Sequence, residues 1–142
     1  MQKFILIIMI SLVHMAGISQ SYELMVNITD IVEIKGSARI AVFDNADHFK
    51  QKVNPTDSAV IEIKTNEVSH AFKLSKGVYA IAVYHDENND MQLNKRSLGI
   101  PIEGIGFSNI TTKRKRPPVF NESSFTLKND TTLQIPIFYD KK

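Results

Sequence analysis

The chain has 142 residues, 43% hydrophobic and 23% charged, a balance that excludes disordered, collagen-like and multi-span membrane classes and suits one folded domain. Its 17 basic and 15 acidic residues nearly cancel, which excludes the strong long-range field of a nucleic-acid-binding protein. With no Cys it has no disulfide, no thiolate nucleophile or zinc ligand, and no site for lipid attachment behind a leader.

The first segment places Lys3 ahead of an apolar run from Phe4 to Val13, followed by small residues at Gly17 and Ser19. Charge, apolar run and small residues in that order predict a cleaved signal peptide over residues 1–19. The run is about ten residues, short of the roughly twenty that cross a bilayer, so no stable membrane insertion is expected. The expectation is a protein exported to the periplasm, cell surface or medium, with residues 20–142 forming a single domain.

Beyond Gln20 the dominant pattern is a period of two, in short segments separated by turn residues. Tyr22, Leu24, Val26 and Ile28 alternate with Glu23, Met25 and Asn27, predicting a half-buried strand. Ala38 to Phe43 predicts a second strand after the turn residues Lys35, Gly36 and Ser37. Asp44 to Asp57 reads as a polar connection with one helical turn around Ala46 to Lys50. Ala59 to Lys64 and Val68 to Leu74 are expected to form a hairpin about Thr65–Glu67. Val78 to His85 is the most apolar run of residues 20–142 and predicts a central strand. From Asp86 to Pro118 the periodicity fails, apart from a short strand near Ile105 to Ile110, and a connection that long is uncommon unless it is functional. Ser123 to Leu127 and Thr132 to Tyr139 complete the set, the last expected at a sheet edge because Pro136 has no N–H to give a ladder. About seven strands without a long helix predict an all-β fold, an immunoglobulin-like or transthyretin-like sandwich.

The connection holds the only clustered chemistry. Oxygen-bearing side chains alternate at Asp86, Asn88, Asp90, Gln92 and Asn94, the spacing with which a curled chain surrounds a calcium ion. The sixth position of such a loop, normally Gly, is Met91, and the twelfth, normally Glu, is Ser97, so it is not an EF-hand. The expected calcium set is Asp86, Asn88, Asp90 and Asn94 with Glu103 as a distant carboxylate; the competing expectation is a turn in which Asp and Asn bond their own backbone. The basic run Lys113–Arg116 before Pro117 and Pro118 reads as a solvated loop or as a contact for an anionic polymer or lipid headgroup.

The combination G-x-Y-A-x-A-V-Y-H-D-x-N over Gly77–Asn88, L-G-I-P-x-E-G-x-G-F-S-N over Leu98–Asn109 and R-P-P-x-F over Arg116–Phe120 resembles domain-of-unknown-function family 2141, small exported bacterial proteins. The resemblance implies an exported β-sandwich and no particular biochemical role. The family's loop runs H-D-x-N-x-N-G-x-L-D-x-N, matched here by His85, Asp86, Asn88 and Leu93. Asp90 stands where Asn is usual, Met91 for Gly, Asn94 for Asp and Arg96 for Asn. Met91 implies a different turn, because side-chain-bearing residues disfavour positive φ, and Arg96 places a positive charge near any cation.

No nucleophile elbow, HExxH helix or phosphate-binding Gly loop is present. The function expected is therefore a non-catalytic exported binding or structural module, with no catalytic residue and no certain cofactor, whose loop binds calcium or is held by hydrogen bonds. Its partner is an extracytoplasmic ligand or surface polymer. Two alternatives come from other classes: a hydrolase with His85 as base beside Asp86 or Glu103, and a carbohydrate-binding module using Phe107 and Phe120, although the chain has no Trp.

Overall fold

The computed structural model describes residues 20–140; the leader expected over residues 1–19 lies outside them. The alternation of apolar residues becomes eight strands: β1 (Ser21–Thr29), β2 (Ser37–Phe43), β3 (Asp57–Glu62), β4 (Val68–Ser75), β5 (Gly77–Asp86), β6 (Ile105–Phe107), β7 (Phe125–Leu127) and β8 (Thr131–Pro136). Two short helices, α1 (Ala46–Gln51) and α2 (Phe120–Ser123), lie in the connections. The strands form a three-stranded sheet in the order β4-β1-β8 and a larger sheet in the order β3-β2-β5-β6, with β7 also paired to β5. This is an all-β sandwich. Among the described residues no helix is long and apolar enough to cross a membrane.

The core between the sheets comes from one face of each strand. Leu24, Val26 and Ile28 of β1, with Phe72, Leu74 and Ile135, meet Ile40 and Val42 of β2 and Ile81 and Val83 of β5. β5 lies inside its sheet, between β2 and β6, as its apolar run predicts. β8 lies at an edge, as Pro136 predicts, and pairs in parallel with β1.

The expected hairpin across Thr65–Glu67 is absent. β3 pairs with β2, whereas β4 pairs with β1 in the other sheet. The connection is a crossover, anchored where Ile63 enters the core and its N–H bonds the Gly36 carbonyl at 3.1 Å. Alternation reports which face a residue occupies but not which sheet it joins.

A second apolar cluster covers part of the outer face of the larger sheet. Phe49 of α1 is fully buried against Phe43, Phe107 and Phe120, with ring centroids 5.6, 6.1 and 5.9 Å away in edge-on arrangements, the geometry that aromatic quadrupoles favour. Helix α1 forms here because Asn45 caps it, its side-chain oxygen accepting the Asp47 and His48 N–H groups, as an N-cap residue does. Next to it, Ala41 and Ala82 stand directly opposite each other on β2 and β5, followed along the same face by Arg39 opposite Tyr84.

Gly36 sets the entry into β2. Its φ is +66°, and a Cβ there would sit 2.0 Å from the Asp86 carbonyl oxygen. Gly36→Ala is expected to lower stability by about 2–4 kcal/mol, from left-handed strain plus displaced backbone; urea denaturation would measure it, and a near-neutral result would contradict this close approach.

Candidate functional site

β5 ends by placing His85 on the core side and Asp86 on the outer side of the sheet, and both are buried. The His85 Nε2 contacts the Lys35 carbonyl oxygen at 2.8 Å, and Nδ1 contacts the Tyr139 hydroxyl at 2.7 Å. A carbonyl only accepts, so Nε2 donates to Lys35; in the neutral imidazole Nδ1 then accepts from the Tyr139 hydroxyl, whose oxygen also accepts the Val32 N–H at 3.4 Å. His85 thus ties the β1–β2 connection to the segment after β8. Burial pushes the Tyr139 phenol up to about 12.

Asp86 lies beneath the long connection. Its Oδ2 accepts from Arg39 Nε at 2.6 Å and from the Met91 N–H at 3.0 Å, and its Oδ1 accepts the Asp90 N–H at 3.1 Å. Glu103, also buried, accepts the Glu87 N–H at 2.9 Å on Oε1 and the Asn94 N–H at 2.8 Å on Oε2. Two buried carboxylates therefore hold four loop amides, which water cannot fully serve there. Ser37 Oγ donates to the Asn89 side-chain oxygen at 2.8 Å and pins the loop to β2.

The outer part of the loop is a separate, exposed cluster around Asp90. Asp90 Oδ1 accepts the Gln92 N–H at 2.8 Å, and Oδ2 accepts from the side-chain amides of Asn88 and Asn94 at 3.0 and 2.9 Å. These donors hold the Asp90 carboxyl below its ordinary value, the Asn94 bond contributing most. Asn88 and Asn94 thus turn nitrogen towards the Asp90 carboxylate, and the Asn88 oxygen accepts the Asp90 N–H at 3.2 Å. Tested as a calcium cage, the set of Asp86, Asn88, Asp90, Asn94 and Glu103 does not fit in this arrangement: its carboxylates face N–H groups, and Arg39 supplies the positive charge beside Asp86. Among the described residues no group of three or more His, Cys, Asp or Glu is arranged to hold a metal ion. Met91, where a glycine would be at ease, adopts φ 65° itself, and the Asp86 carboxylate holds its amide in place.

Farther along, the connection forms a narrow hairpin. Lys95 bridges Pro101, the Arg96 N–H bonds the Ile100 carbonyl at 2.9 Å and the Gly99 N–H bonds the Arg96 carbonyl at 3.2 Å. The chain then returns through β6 to Ser108, whose hydroxyl accepts the Ile81 N–H at 2.8 Å and donates to the Ser123 carbonyl at 2.6 Å. Arg114 and Arg116 both clasp Glu122, whose carboxyl is brought down to about 2 by Arg116 first, then by the Val119 N–H and Arg114. Lys113 and Arg96 meet on Asp140.

Between this connection and the open part of the larger sheet lies a cleft of about 1200 Å³. Ala41 and Ala82 lie on its floor, Leu98 and Ile100 line the loop side, and the lining residues include eight cations against two carboxylates, Glu103 and Asp140. Lys52 extends over the Phe49 and Phe107 rings, its nitrogen 3.9 and 5.5 Å from their centroids, and desolvation lowers its pKa to about 8. Phe107 and Phe120, the aromatics expected to stack on sugars, belong to the apolar cluster under α1. Sequence reasoning missed Arg39, Tyr139 and this cleft. The one signal for Arg39 was a charged residue inside the apolar run Ala38–Phe43.

These features define a class: a two-sheet β-sandwich in which buried carboxylates brace one long connection over the outer face of a sheet. A family model described as an uncharacterized protein conserved in bacteria (DUF2141) matches residues 26–134, and the chain belongs to that family. No curated protein and no solved structure matches it.

Asp86→Ala is expected to cost about 3 kcal/mol, because it leaves Arg39 and two loop amides without their acceptor. Met91→Gly is expected to gain about 0.5–1 kcal/mol by relieving left-handed strain. Denaturant midpoints check both, and equal effects of the two substitutions would contradict the brace. The Tyr139 phenol has a raised folded-state pKa, so its contribution is complete below its ordinary value of 10.0 and is lost as pH climbs through about 12. Melting curves should therefore fall over that interval, and the fall should be smaller in Tyr139→Phe.

Proposed function

We propose that this protein is a non-catalytic exported binding module whose cleft, between the braced connection and the larger sheet, receives an anionic extracytoplasmic ligand. The observation that carries the reading is the charge of the cleft. In a chain that is nearly neutral overall, eight cations and two carboxylates line it. Of those two carboxylates, Glu103 is buried and engaged by loop amides, while Asp140 is shared by Lys113 and Arg96. Lys50, Lys95 and Lys115 have no carboxylate partner among the described residues. An apolar floor beneath a cationic rim suits a ligand with an anionic group and an apolar body.

The environment of His85 supports the non-catalytic side of the reading. Both ring nitrogens are occupied and the side chain is 1% exposed, whereas a general base needs hydrogen-bond reach to a substrate proton. The calcium reading of the loop retains one supporting feature, the left-handed Met91 at the place where calcium loops turn sharply.

The test uses anilinonaphthalene sulfonate, an aromatic anion, followed by amide chemical shifts. Saturable binding that shifts Ala41, Ala82 and Lys95 and is abolished by Ala82→Trp in a protein that still melts cooperatively is the expected result. Shifts confined to other surfaces would refute the cleft. In the same samples, calcium at about 10 mM, above the usual range of weak extracellular sites, is expected to leave Tm within about 1 °C. A rise of several degrees that vanishes in Asp90→Ala would restore the cation reading.

A further inference from the structure

The hairpin wall of the cleft carries a feature that folding does not explain. Leu98, at its tip, is 97% exposed and has φ 66°, followed by Gly99 at φ 72°. Left-handed backbone is unfavourable for a side-chain-bearing residue, and an exposed leucine forgoes burial. Asn or Gly at this position would relieve the strain and remove the exposed apolar side chain. Met91, Ile100 and Ile102, in the same connection, are 71, 37 and 50% exposed. A strained, exposed apolar residue on a braced loop points to a function elsewhere than in folding.

The surroundings indicate the partner. Leu98 and Ile100 line the same cleft as Lys50, Lys95 and Lys115, so the apolar tip is accompanied by cations that have no carboxylate partner among the described residues. A protein partner of ordinary affinity needs a broad complementary face of roughly 800 Å², whereas this is a narrow protruding tip. An apolar tip with cations beside it matches a bilayer surface, where the side chain enters the acyl boundary and the cations meet anionic headgroups.

We infer that the Leu98 hairpin docks the protein onto anionic lipid bilayers, Leu98 and Ile100 entering the interface while Lys95 and Lys115 hold headgroup phosphates. This deepens the proposed function, since it rests on the cleft being the anion-binding face, and it names the source of the anion as a membrane lipid.

Because the chain has no Trp, Leu98→Trp places a single fluorophore at the tip. Val32→Trp, at an exposed position outside the cleft lining, serves as control. The readout is local to each position, so it does not depend on what residues 1–19 contribute. The vesicles contain phosphatidylglycerol and phosphatidylcholine with brominated acyl chains. With them, the indole emission of the Leu98→Trp protein is expected to shift to the blue and be quenched, and that of the Val32→Trp protein to stay unchanged. Replacing phosphatidylglycerol wholly by phosphatidylcholine, or introducing Lys95→Glu and Lys115→Glu together, should weaken the quenching roughly tenfold. Raising the salt concentration should weaken it as well. Equal quenching in the two proteins, or none in the Leu98→Trp protein, would overturn the inference. If sulfonate binding in the cleft persists in that case, the proposed function stands and its ligand is not a bilayer; if it is lost too, both readings fail.

Discussion

The arrangement depends on one buried carboxylate. Asp86 leaves the larger sheet fully buried, where an ionised group is costly unless each oxygen is answered. Arg39 meets it from the neighbouring strand, while Asp90 and Met91 meet it through their amides. The two kinds of partner have different consequences. Arg39 joins β2 to β5 at the end of the sheet, whereas the amides make the first turn of the long connection a continuation of the strand's own packing. Glu103 does the same for the returning limb by accepting the Glu87 and Asn94 amides. A connection of this length would otherwise carry a large ordering cost, and the two acids spread that cost over four backbone bonds.

The brace also determines where the larger sheet remains open. One part of its outer face is closed by the Phe49 cluster under α1, and beside that cluster the sheet carries Ala41 and Ala82 next to a row of Val60, Arg39 and Tyr84. Small side chains leave room above the sheet, and the braced connection turns that room into a cleft. Asp86 and Glu103 face inward to amides, while Lys50, Lys95 and Lys115 line the cleft. That segregation explains how a chain of almost balanced charge can present a cationic face. The clasp of Arg114 and Arg116 on Glu122 neutralises part of the basic run and holds it as a wall, so this run is structural as well as electrostatic.

Much of the fold was legible because alternation is a local property. β1, β2 and β5 follow their period-two patterns, Pro136 marks an edge, and Ala46–Lys50 marks the turn of helix that became α1. The crossing of the chain between β3 and β4 was not legible, since both segments alternate equally well in a hairpin or in two sheets. At the site, Asp86 and Glu103 stood out as acids in a long polar connection. Their geometry did not, because their main partners are backbone amides, which every residue but proline possesses, and an arginine 47 positions upstream. His85 was conspicuous for a similar reason, and its role depends on Tyr139, 54 positions away. The cleft left no mark in the sequence beyond the small size of Ala41 and Ala82, which matter only once register puts them side by side.

The parallel pairing of β1 with β8 has a consequence for how the molecule comes into being. The first and last strands are neighbours, with Leu24 opposite Thr131 and Thr29 opposite Pro136. A chain delivered from its N-terminus therefore offers β1 and β4 early, with one side of β1 unoccupied until the final strand arrives. Closing a loop of that span is slow and entropically unfavourable, and an open strand edge invites pairing with other chains in the meantime. The small sheet is thus a late-closing element, and the chain's exposure to misassembly lasts until its final strand is delivered.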